Sequence, residues 1–398
     1  MDPVRNPFAP GAGSRPPELA GRQHIMERAD IALQRVIQGR HDKAQILLGL
    51  RGTGKTVLLN TIEELAERHH HLTSFIEAPE NERLVELLYP RVHTTLRRLS
   101  ATEKARTAVH SAWQALKSMA GSFKISVGDV TIAVDPAPGV ADSGNLEFDL
   151  TDLFVRAGAA AKAAGSAWTL LIDEIQYLTK QELAALIVAI HRINQKRLPV
   201  LLFGAGLPQV AALSGDAKSY AERLFDFPAI EPLSPKDAAD AIRQPIEDEG
   251  ERIVKSALDE IVHRTEGYPY FLQEWGYQTW NAADKSPFSK ADVETASPAV
   301  LKRLDDGFFR VRFDRLTPKE RQYVFAMASL GVGPYRSGDV ADRLAESNKS
   351  LGPRRAQIIN KGMIYSPAHG DIAFTVPMFE DFLLRTFKDQ VRTYMPDH

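Results

Sequence analysis

The sequence of 398 residues contains no cysteine, which excludes disulfide bonds, thiolate zinc sites and cysteine nucleophiles. It also lacks a long apolar run, because the longest stretches, such as Leu183 to Ile190, are far too short to span a bilayer. The start of the chain is polar and proline-rich, without the pattern of a signal peptide. We therefore expect a cytoplasmic protein with no membrane contact.

An excess of positive charge is missing as well. The formal net charge is −2 and the isoelectric point is about 6.6, whereas proteins that bind nucleic acid non-specifically are usually basic. Any contact with DNA must therefore come from a local patch of charge. The chain is too long for one ordinary hydrophobic core, so two or three domains are expected.

The segment Gly49 to Thr56 is a complete phosphate-binding P-loop between the predicted strand Ala44 to Leu48 and the predicted helix Val57 to His69. Its glycines let successive backbone N–H groups curl around a phosphate. Lys55 would reach the β- and γ-phosphates, and the Thr56 hydroxyl would bind Mg²⁺. The alternative is a glycine-rich turn with an unrelated lysine. The predicted nucleotide contacts are Gly49, Leu50, Arg51, Gly52, Thr53, Gly54, Lys55 and Thr56.

A strand predicted from Trp168 to Ile172 delivers the carboxylates of Asp173 and Glu174 to its C-terminal end, where parallel sheets bind ligands. Asp173 would hold Mg²⁺ together with Thr56, and Glu174 would polarise an attacking water. Gln176 either helps to position that water or is a surface glutamine. Two solvated acids that open a turn are the alternative. We therefore predict an ATPase that binds ATP or ADP with Mg²⁺, with catalytic residues Lys55, Asp173 and Glu174.

Arg223 lies just before the fifth predicted strand, Phe227 to Ile230. A cation at that place can reach the γ-phosphate of a neighbouring subunit, and such an arginine finger is worth roughly 10³–10⁵ in rate. A salt bridge within the chain, to Glu222 or Asp226, is the alternative. The finger interpretation adds Arg223 to the catalytic residues and predicts a homo-oligomer that forms on ATP binding.

Strands and helices alternate through the first 232 residues, which predicts an α/β fold with a parallel five-stranded sheet and helices on both faces. The remaining predicted strands are Thr73 to Ile76 and Leu198 to Phe203, and the first predicted helix covers Gln23 to Gln38. The predicted domains are an extended Pro-rich arm over 1–22, a P-loop ATPase domain over 23–232, an all-helical lid over 233–305 and a winged-helix domain over 306–398.

An insertion at about 84–150 accounts for the long gap between Lys55 and Asp173. It contains a basic helical stretch from Leu84 to Met119. A β-hairpin is predicted to follow, formed by Phe123 to Val127 and Val130 to Val134 with its turn at Gly128-Asp129.

The residues from about 306 onward read as three helices, two short strands and a final helix from Phe379, which is the order of a winged helix. Strands at Ile364-Tyr365 and Ile372 to Phe374 would flank a wing tip at His369 to Asp371. A module that packs on the ATPase or binds protein is the alternative. The predicted recognition helix, Leu351 to Lys361, presents three cations suited to double-stranded DNA: Arg354, Arg355 and Lys361.

These features resemble the AAA+ superfamily, and within it the initiator-type branch, with archaeal-ATPase and STAND relatives close by. The resemblance covers nearly the whole chain and includes Glu18-Leu19-Ala20-Gly21-Arg22 and the Gly267-Tyr268-Pro269-Tyr270 segment of the lid, which is similar to a STAND-type motif. It implies that Gly21 and Arg22 lie near the adenine, and that the lid, with Pro269, closes over the nucleotide.

Two departures from the family pattern indicate slow hydrolysis. The segment Phe203 to Pro208 offers no polar sensor residue after the fourth strand, and the lid motif replaces a sensor arginine. We therefore predict an ATP-binding switch with slow or assembly-dependent hydrolysis that controls DNA binding through the winged helix. The alternatives are a nucleotide-gated STAND-type signalling or scaffold protein whose winged helix contacts protein, and a regulatory ATPase of a defence or mobile-element system.

Overall fold

The structure, a computed structural model, describes residues 1–11, 19–80, 82–127, 130–131 and 139–395. The chain forms two compact units. The first comprises Arg22–Gly49 and Lys55–Ile230, and the second comprises Met1–Gly21, Leu50–Gly54 and Glu231–His398. The turn of the P-loop therefore belongs to the second unit, whereas Lys55 belongs to the first.

The first unit is built on a parallel five-stranded sheet in the order β2-β5-β6-β1-β7. A separate antiparallel pair is formed by β3 and β4. The sheet confirms the predicted fold class. In chain order the strands are β1 Ala44–Leu48, β2 His71–Glu77, β3 Ser126–Val127, β4 Val130–Thr131, β5 Ala167–Asp173, β6 Val200–Gly206 and β7 Phe225–Asp226.

Helices cover both faces of this sheet. Neighbouring strand residues enter two different apolar clusters: Ile46 packs with one set of helices and Leu47 with the other, because successive side chains of a strand point to opposite faces. The helices of this unit are α1 Gln23–Ile37, α2 Lys55–Arg68, α3 Leu84–Leu99, α4 Arg106–Ser122, α5 Leu146–Ala163, α6 Lys180–Lys196, α7 Val210–Ala217 and α8 Ala221–Leu224.

The fifth strand begins and ends earlier than predicted. It covers Phe225–Asp226 instead of Phe227 to Ile230, and Ala229 makes only an isolated bridge to Leu48. Pro228 lies between them and has no N–H to donate, although its carbonyl accepts from the Leu48 N–H at 2.9 Å. The proline therefore interrupts the ladder.

The basic stretch of the insertion is two helices, α3 and α4, joined by the 3₁₀ turn Glu103–Ala105. Buried side chains such as Leu88, Val92 and Leu96 fix α3 in the core. Strands β3 and β4 agree with the predicted hairpin, but its turn at Gly128-Asp129 and the end of its second strand lie outside the described residues.

Among its described residues the second unit contains ten α-helices, the 3₁₀ turn Pro3–Arg5, the π-helical segment Leu304–Phe309 and a three-stranded antiparallel sheet in the order β8-β10-β9. Its strands are β8 Tyr335–Arg336, β9 Ile364–Tyr365 and β10 Asp371–Phe374. Its helices are α9 Pro235–Asp248, α10 Lys255–Thr265, α11 Pro269–Ala282, α12 Lys290–Arg303, α13 Arg310–Phe313, α14 Pro318–Ala328, α15 Ser337–Arg343, α16 Asn348–Asn360, α17 Phe379–Thr386 and α18 Lys388–Arg392. In the described part of the chain, no helix is both long and apolar enough to cross a membrane.

The first residues of the chain, part of the predicted Pro-rich arm, pack on α11. Phe8 is buried, and a Cβ on Gly276 would lie 2.6 Å from its ring, so only glycine leaves room for it. The indole N–H of Trp280 donates to the Asp2 carbonyl at 2.8 Å. Pro16, Pro17 and Glu18 lie outside the described residues.

Candidate nucleotide-binding site

The P-loop begins at the C-terminal end of β1, at the carboxyl edge of the sheet. Gly49 donates its N–H to the Gly206 carbonyl at 3.1 Å, which ties the loop to the end of β6. Gly52 and Gly54 have φ angles of 83° and 92°, a region that side chains other than glycine rarely adopt. The backbone conformation at Gly52 and Gly54 therefore explains why both positions were predicted to need glycine.

The helix after the loop presents the two side chains with phosphate chemistry. Lys55 is the first residue of α2 and is only 8% exposed, so its ammonium is held close to the protein. The Thr56 hydroxyl donates to Asp173 Oδ2 at 2.6 Å. The start of a helix also favours an anion through its dipole and its unbonded N–H groups.

Asp173 ends β5, and its pKa is raised by burial and by the neighbouring Glu174 charge, although the Thr56 hydrogen bond acts in the opposite direction. Its second oxygen, Oδ1, accepts from the Glu174 N–H at 2.8 Å. A buried carboxylate with a raised pKa is stabilised when a cation binds beside it.

This pair fits Mg²⁺. A hydroxyl and a carboxylate are hard oxygen donors, and Mg²⁺ is commonly held by one or two carboxylates together with substrate phosphates. Among the described residues, no group of three or more His, Asp or Glu side chains could hold a metal without such help. Thr56 and Asp173 would therefore hold Mg²⁺ jointly with a nucleotide.

Glu174 adopts the left-handed backbone conformation, with φ 53° and ψ 37°. Such a conformation is uncommon outside glycine and asparagine and is often found at functional sites. The side chain is half-buried. Gln176, in the 3₁₀ turn Ile175–Tyr177, donates its amide N–H to Glu174 Oε2 and accepts from the Leu207 N–H at 3.1 Å.

Arg223 lies at the other edge of the sheet. Phe225 pairs with Ala44 at the start of β1, so Arg223 is roughly 20 Å from the P-loop along the strand direction. Its side chain is exposed and, in the part of the chain that the structure describes, has no hydrogen-bond or ion-pair partner. Among the described residues no salt bridge joins Arg223 to Asp226, which pairs instead with Arg28 at 2.5 Å and with Lys43 at 3.3 Å.

Arg223 also lines a pocket of about 290 Å³ at this amino edge. Lys43 and His191 contribute further basic groups to its wall. The pocket is therefore a place where an anionic group from another molecule could approach Arg223.

The turn of the P-loop makes backbone contacts within the second unit. The Arg51 N–H donates to the Thr375 carbonyl at 3.1 Å, and Arg51 Nε donates to the Gly362 carbonyl at 3.4 Å. The Tyr270 N–H donates to the Gly52 carbonyl at 3.2 Å. None of these three contacts was predicted, because the partners lie more than two hundred residues apart in sequence and each contact involves a backbone carbonyl or amide group, whose pairing a sequence motif does not reveal.

In the lid segment Gly267-Tyr268-Pro269, the backbone conformation explains why the first residue is glycine and the third is proline. Gly267 has φ 73°, and a Cβ there would lie 2.3 Å from the Leu233 carbonyl oxygen. Pro269 is the first residue of α11, where its missing N–H costs nothing. The nucleotide-binding role of Pro269 stays a prediction.

The adenine contacts also stay predictions. Gly21 has φ 69°, and a Cβ on it would lie 2.8 Å from Asp237 Oδ2. Arg22, at the start of α1, is only 8% exposed. Both positions are thus tightly packed.

The three cations predicted to contact DNA are engaged within their own unit. Arg354 contacts Glu346 at 3.0 Å and is only 15% exposed, and Arg355 donates to Asn348 at 3.1 Å. Lys361 pairs with Glu320 at 2.6 Å. The predicted recognition helix also begins three residues earlier, at Asn348, so the two arginines lie in its middle and not near its N-terminus.

Comparison with known proteins gives two family matches. Residues 18–203 match the model of the AAA ATPase domain, and residues 306–383 match a family described as a domain of unknown function. The chain therefore carries an AAA ATPase-like nucleotide-binding domain. No curated protein matches the chain.

Several solved structures are similar along nearly the whole chain. A Walker-type ATPase of Pyrococcus abyssi is 16% identical with a TM-score of 0.55, over 93% of this chain and 97% of that one. The Aeropyrum pernix ORC1 protein in complex with DNA is 12% identical with a TM-score of 0.47, over 96% of both chains. The RuvB Holliday junction branch migration motor of Thermotoga maritima is 15% identical with a TM-score of 0.46, over 94% and 98%. At 16% identity, the similarity to the Pyrococcus abyssi ATPase supports the fold alone.

Proposed function

We propose that the protein is an ATP-dependent switch, which binds ATP with Mg²⁺ at the P-loop, hydrolyses it slowly and passes the state of the loop to its C-terminal residues. The observation that carries this proposal is the 2.6 Å contact between the Thr56 hydroxyl and the buried Asp173 carboxylate, beside Lys55. These are the groups that hold Mg²⁺ and phosphates in P-loop ATPases. The match to the AAA ATPase domain supports the same assignment.

Glu174 would serve as the base for hydrolysis. It would accept a proton from water as the water oxygen bonds to the γ-phosphorus, and the bond from that phosphorus to the β,γ-bridging oxygen would break to give ADP and phosphate. Lys55 would offset the charge on the phosphate oxygens, and bound Mg²⁺ would supply further neutralisation. The uncommon backbone conformation of Glu174 and its place directly after Asp173 support this role.

Arg223 would complete the site of a second copy of the chain. At roughly 20 Å from its own P-loop, it cannot reach the phosphates bound there. Its exposed guanidinium, which is without a partner among the described residues, is available to another subunit. Hydrolysis would therefore depend on assembly, and the proposed homo-oligomer follows from this position.

The turn of the loop would transmit the nucleotide state. Closing of the P-loop backbone around a phosphate would change the positions of the Arg51 N–H and the Gly52 carbonyl, which are bonded to Thr375 and Tyr270. Those two residues would then respond directly. These hydrogen bonds favour a protein that changes conformation with its nucleotide over one that only holds a nucleotide.

The output would be a macromolecular contact of the C-terminal residues, which we propose form a winged helix. The ion pairs favour a protein partner, because Arg354 and Lys361 would have to leave Glu346 and Glu320 before they could bind DNA phosphates. DNA binding is the second candidate, and the adjacent Arg354 and Arg355 in the middle of α16 are the observation in its favour.

Nucleotide binding is tested with Lys55→Ala. Loss of one charge-assisted contact to phosphate should weaken binding of MgADP roughly 10- to 100-fold, measured by isothermal titration calorimetry. Lys302→Ala is the matched control, because Lys302 is a 78% exposed lysine in an ion pair on α12. Equal affinities of the Lys55 variant and the unsubstituted protein would overturn the proposal.

A further inference from the structure

We propose that Gln176 is a positioning residue that holds the Glu174 carboxylate for hydrolysis, in place of a polar side chain that β6 does not provide. This inference rests on the proposed ATPase function and assigns a residue within that site. It concerns the end of β5, the end of β6 and the first glycine of the P-loop, all in the first unit.

The Gln176 amide is oriented by its two contacts. Its oxygen accepts from the Leu207 N–H at 3.1 Å, and its nitrogen donates to Glu174 Oε2. Because a backbone N–H can only donate, it fixes which end of the amide faces β6. The end that faces Glu174 must then be the donor, which suits an ionised carboxylate.

The glycine at the end of β6 leaves the space that the Gln176 amide occupies. A Cβ on Gly206 would lie 2.8 Å from Gln176 Oε1 and 2.9 Å from side-chain atoms of Ile175 and Val210. Contacts under about 3 Å force a neighbour to move. The absence of a polar side chain at Gly206 is therefore the condition that lets Gln176 reach the same place from β5.

One peptide group links this amide to the P-loop. The Leu207 N–H that binds Gln176 and the Gly206 carbonyl that accepts from Gly49 at 3.1 Å belong to the same peptide bond. A peptide group that donates and accepts at once is polarised in both bonds. Glu174 is thus connected through Gln176 and one peptide to the first residue of the loop.

Glu174 needs such a support because it lies beyond the strand ladder. Its backbone N–H is bonded to Asp173, but its side chain extends from a left-handed turn and is only half-buried. A base displaced by about 1 Å can lose roughly 100-fold in rate. A purely structural alternative is that Gln176 only closes the turn, and this alternative predicts loss of stability and not a selective loss of turnover.

Two substitutions separate these possibilities. Gln176→Ala removes the donor and should lower kcat for MgATP hydrolysis roughly tenfold; Gln176→Glu places a second carboxylate against Glu174 and should lower it roughly 100-fold. Affinity for MgADP should stay within about twofold for both, since neither changes Lys55 or Thr56. Gln244→Glu is the matched control, because Gln244 also donates to a carboxylate, Asp248 at 2.7 Å, but at an exposed position on α9.

A second experiment tests the same contact without measuring ATP hydrolysis. Unfolding midpoints are measured for Gln176→Glu, Glu174→Gln and the double variant, because the repulsion introduced by Gln176→Glu should disappear when residue 174 carries no charge. Recovery of the midpoint in the double variant supports the contact; additive losses overturn it. Gly206→Ala should lower kcat as Gln176→Ala does, because it occupies the space of the amide.

The outcomes distinguish this inference from the proposed function. If the unsubstituted protein shows no Lys55-dependent turnover at any protein concentration, the ATPase proposal fails and the catalytic role of Gln176 fails with it, whatever the unfolding measurements give. If the unsubstituted protein hydrolyses ATP and Gln176→Glu hydrolyses it equally fast, only the assignment to Gln176 is overturned. A parallel loss of kcat and of nucleotide affinity identifies a structural role and also overturns it.

Discussion

Two regions of the molecule present cations that the sequence predicts as phosphate contacts, and they differ in what surrounds them. The side chain of Arg223, at the amino edge of the ATPase sheet, is exposed and has no hydrogen-bond or ion-pair partner among the described residues. Arg354, Arg355 and Lys361, on and after α16, each have a polar partner within their own unit. The first cation is available for an external anion, whereas the other three must first give up a contact.

The difference shows that residue type and position in a motif do not determine whether a cation is available to bind phosphate. An ion pair that is partly buried is costly to break, because the partner charge stays behind without compensation. Glu320 is an example: burial would raise its pKa, but the hydrogen bonds from Lys361 and Thr317 hold that pKa below its ordinary value. Lys361 therefore already neutralises an interior carboxylate.

The largest expected effect concerns Arg223. If its guanidinium serves the site of another subunit, Arg223→Ala should lower turnover per site by roughly 10³-fold or more at concentrations where the protein is assembled. At dilutions where it is monomeric, the variant and the unsubstituted protein should not differ. Turnover is measured against protein concentration, with the assembly state followed by light scattering.

Arg192→Ala is the matched control for this measurement, because Arg192 is an exposed arginine on the neighbouring α6 that contacts Gln195 at 3.0 Å. A loss of turnover in Arg223→Ala that is the same at every protein concentration would contradict action between subunits. It would also remove the difference between the two regions.

The second effect concerns stability. Lys361→Met keeps the unbranched stem of the side chain but leaves Glu320, which is 2% exposed, without its cation. We expect a loss of about 2 kcal/mol in the free energy of unfolding at neutral pH, which is less than for a fully buried pair because Lys361 is partly exposed. Urea unfolding measures it, and Lys302→Met, in an exposed pair, should change stability by less than about 0.5 kcal/mol.

The same pair gives a pH dependence with a defined sign. The pKa of Glu320 is lowered in the folded protein. The stabilisation of the fold by its ionised carboxylate is therefore complete at pH values above the ordinary pKa of glutamate, and it is lost as the pH falls through the lowered pKa. The double variant Glu320→Gln/Lys361→Met should be more stable than Lys361→Met alone. An unchanged stability of Lys361→Met would contradict a structural role for the pair.

The smallest effect is expected for DNA. Because both arginines are engaged, Arg354→Ala/Arg355→Ala should change affinity for duplex DNA by less than about threefold, measured by fluorescence anisotropy at several salt concentrations. Arg243→Ala, in an exposed ion pair on α9, is the control. A large loss of affinity, with a salt dependence reduced by about two charges, would restore the recognition-helix hypothesis.

The sequence was sufficient for features that depend on neighbouring residues. The P-loop and the Asp173-Glu174 pair are contiguous, and the alternation of strands and helices predicts the parallel sheet. Features that depend on strand order could not be predicted from the sequence. Gln176, for example, accepts a hydrogen bond from Leu207 only because β5 and β6 are adjacent in the sheet. The pairing of Lys361 with Glu320 likewise joins residues that no periodicity relates.

Element boundaries were missed where one local residue decides them. Pro228 ends the fifth strand early, and Ser347, which accepts from the Ser350 N–H at 3.1 Å, starts α16 three residues before the predicted position. The second error moved two arginines away from the helix N-terminus. That shift alone changes what they can contact.

The interruption at Pro228 has a consequence for the solubility of the protein. An uncovered edge strand offers a row of unpaired N–H and C=O groups to other chains, and proteins limit this hazard with very short edge strands and with proline. β7 has two residues and is followed by a proline two positions later, so this edge of the sheet is a poor template for strand addition. The proposed self-association through Arg223 would therefore rely on side chains, and it would not require strand addition at this edge.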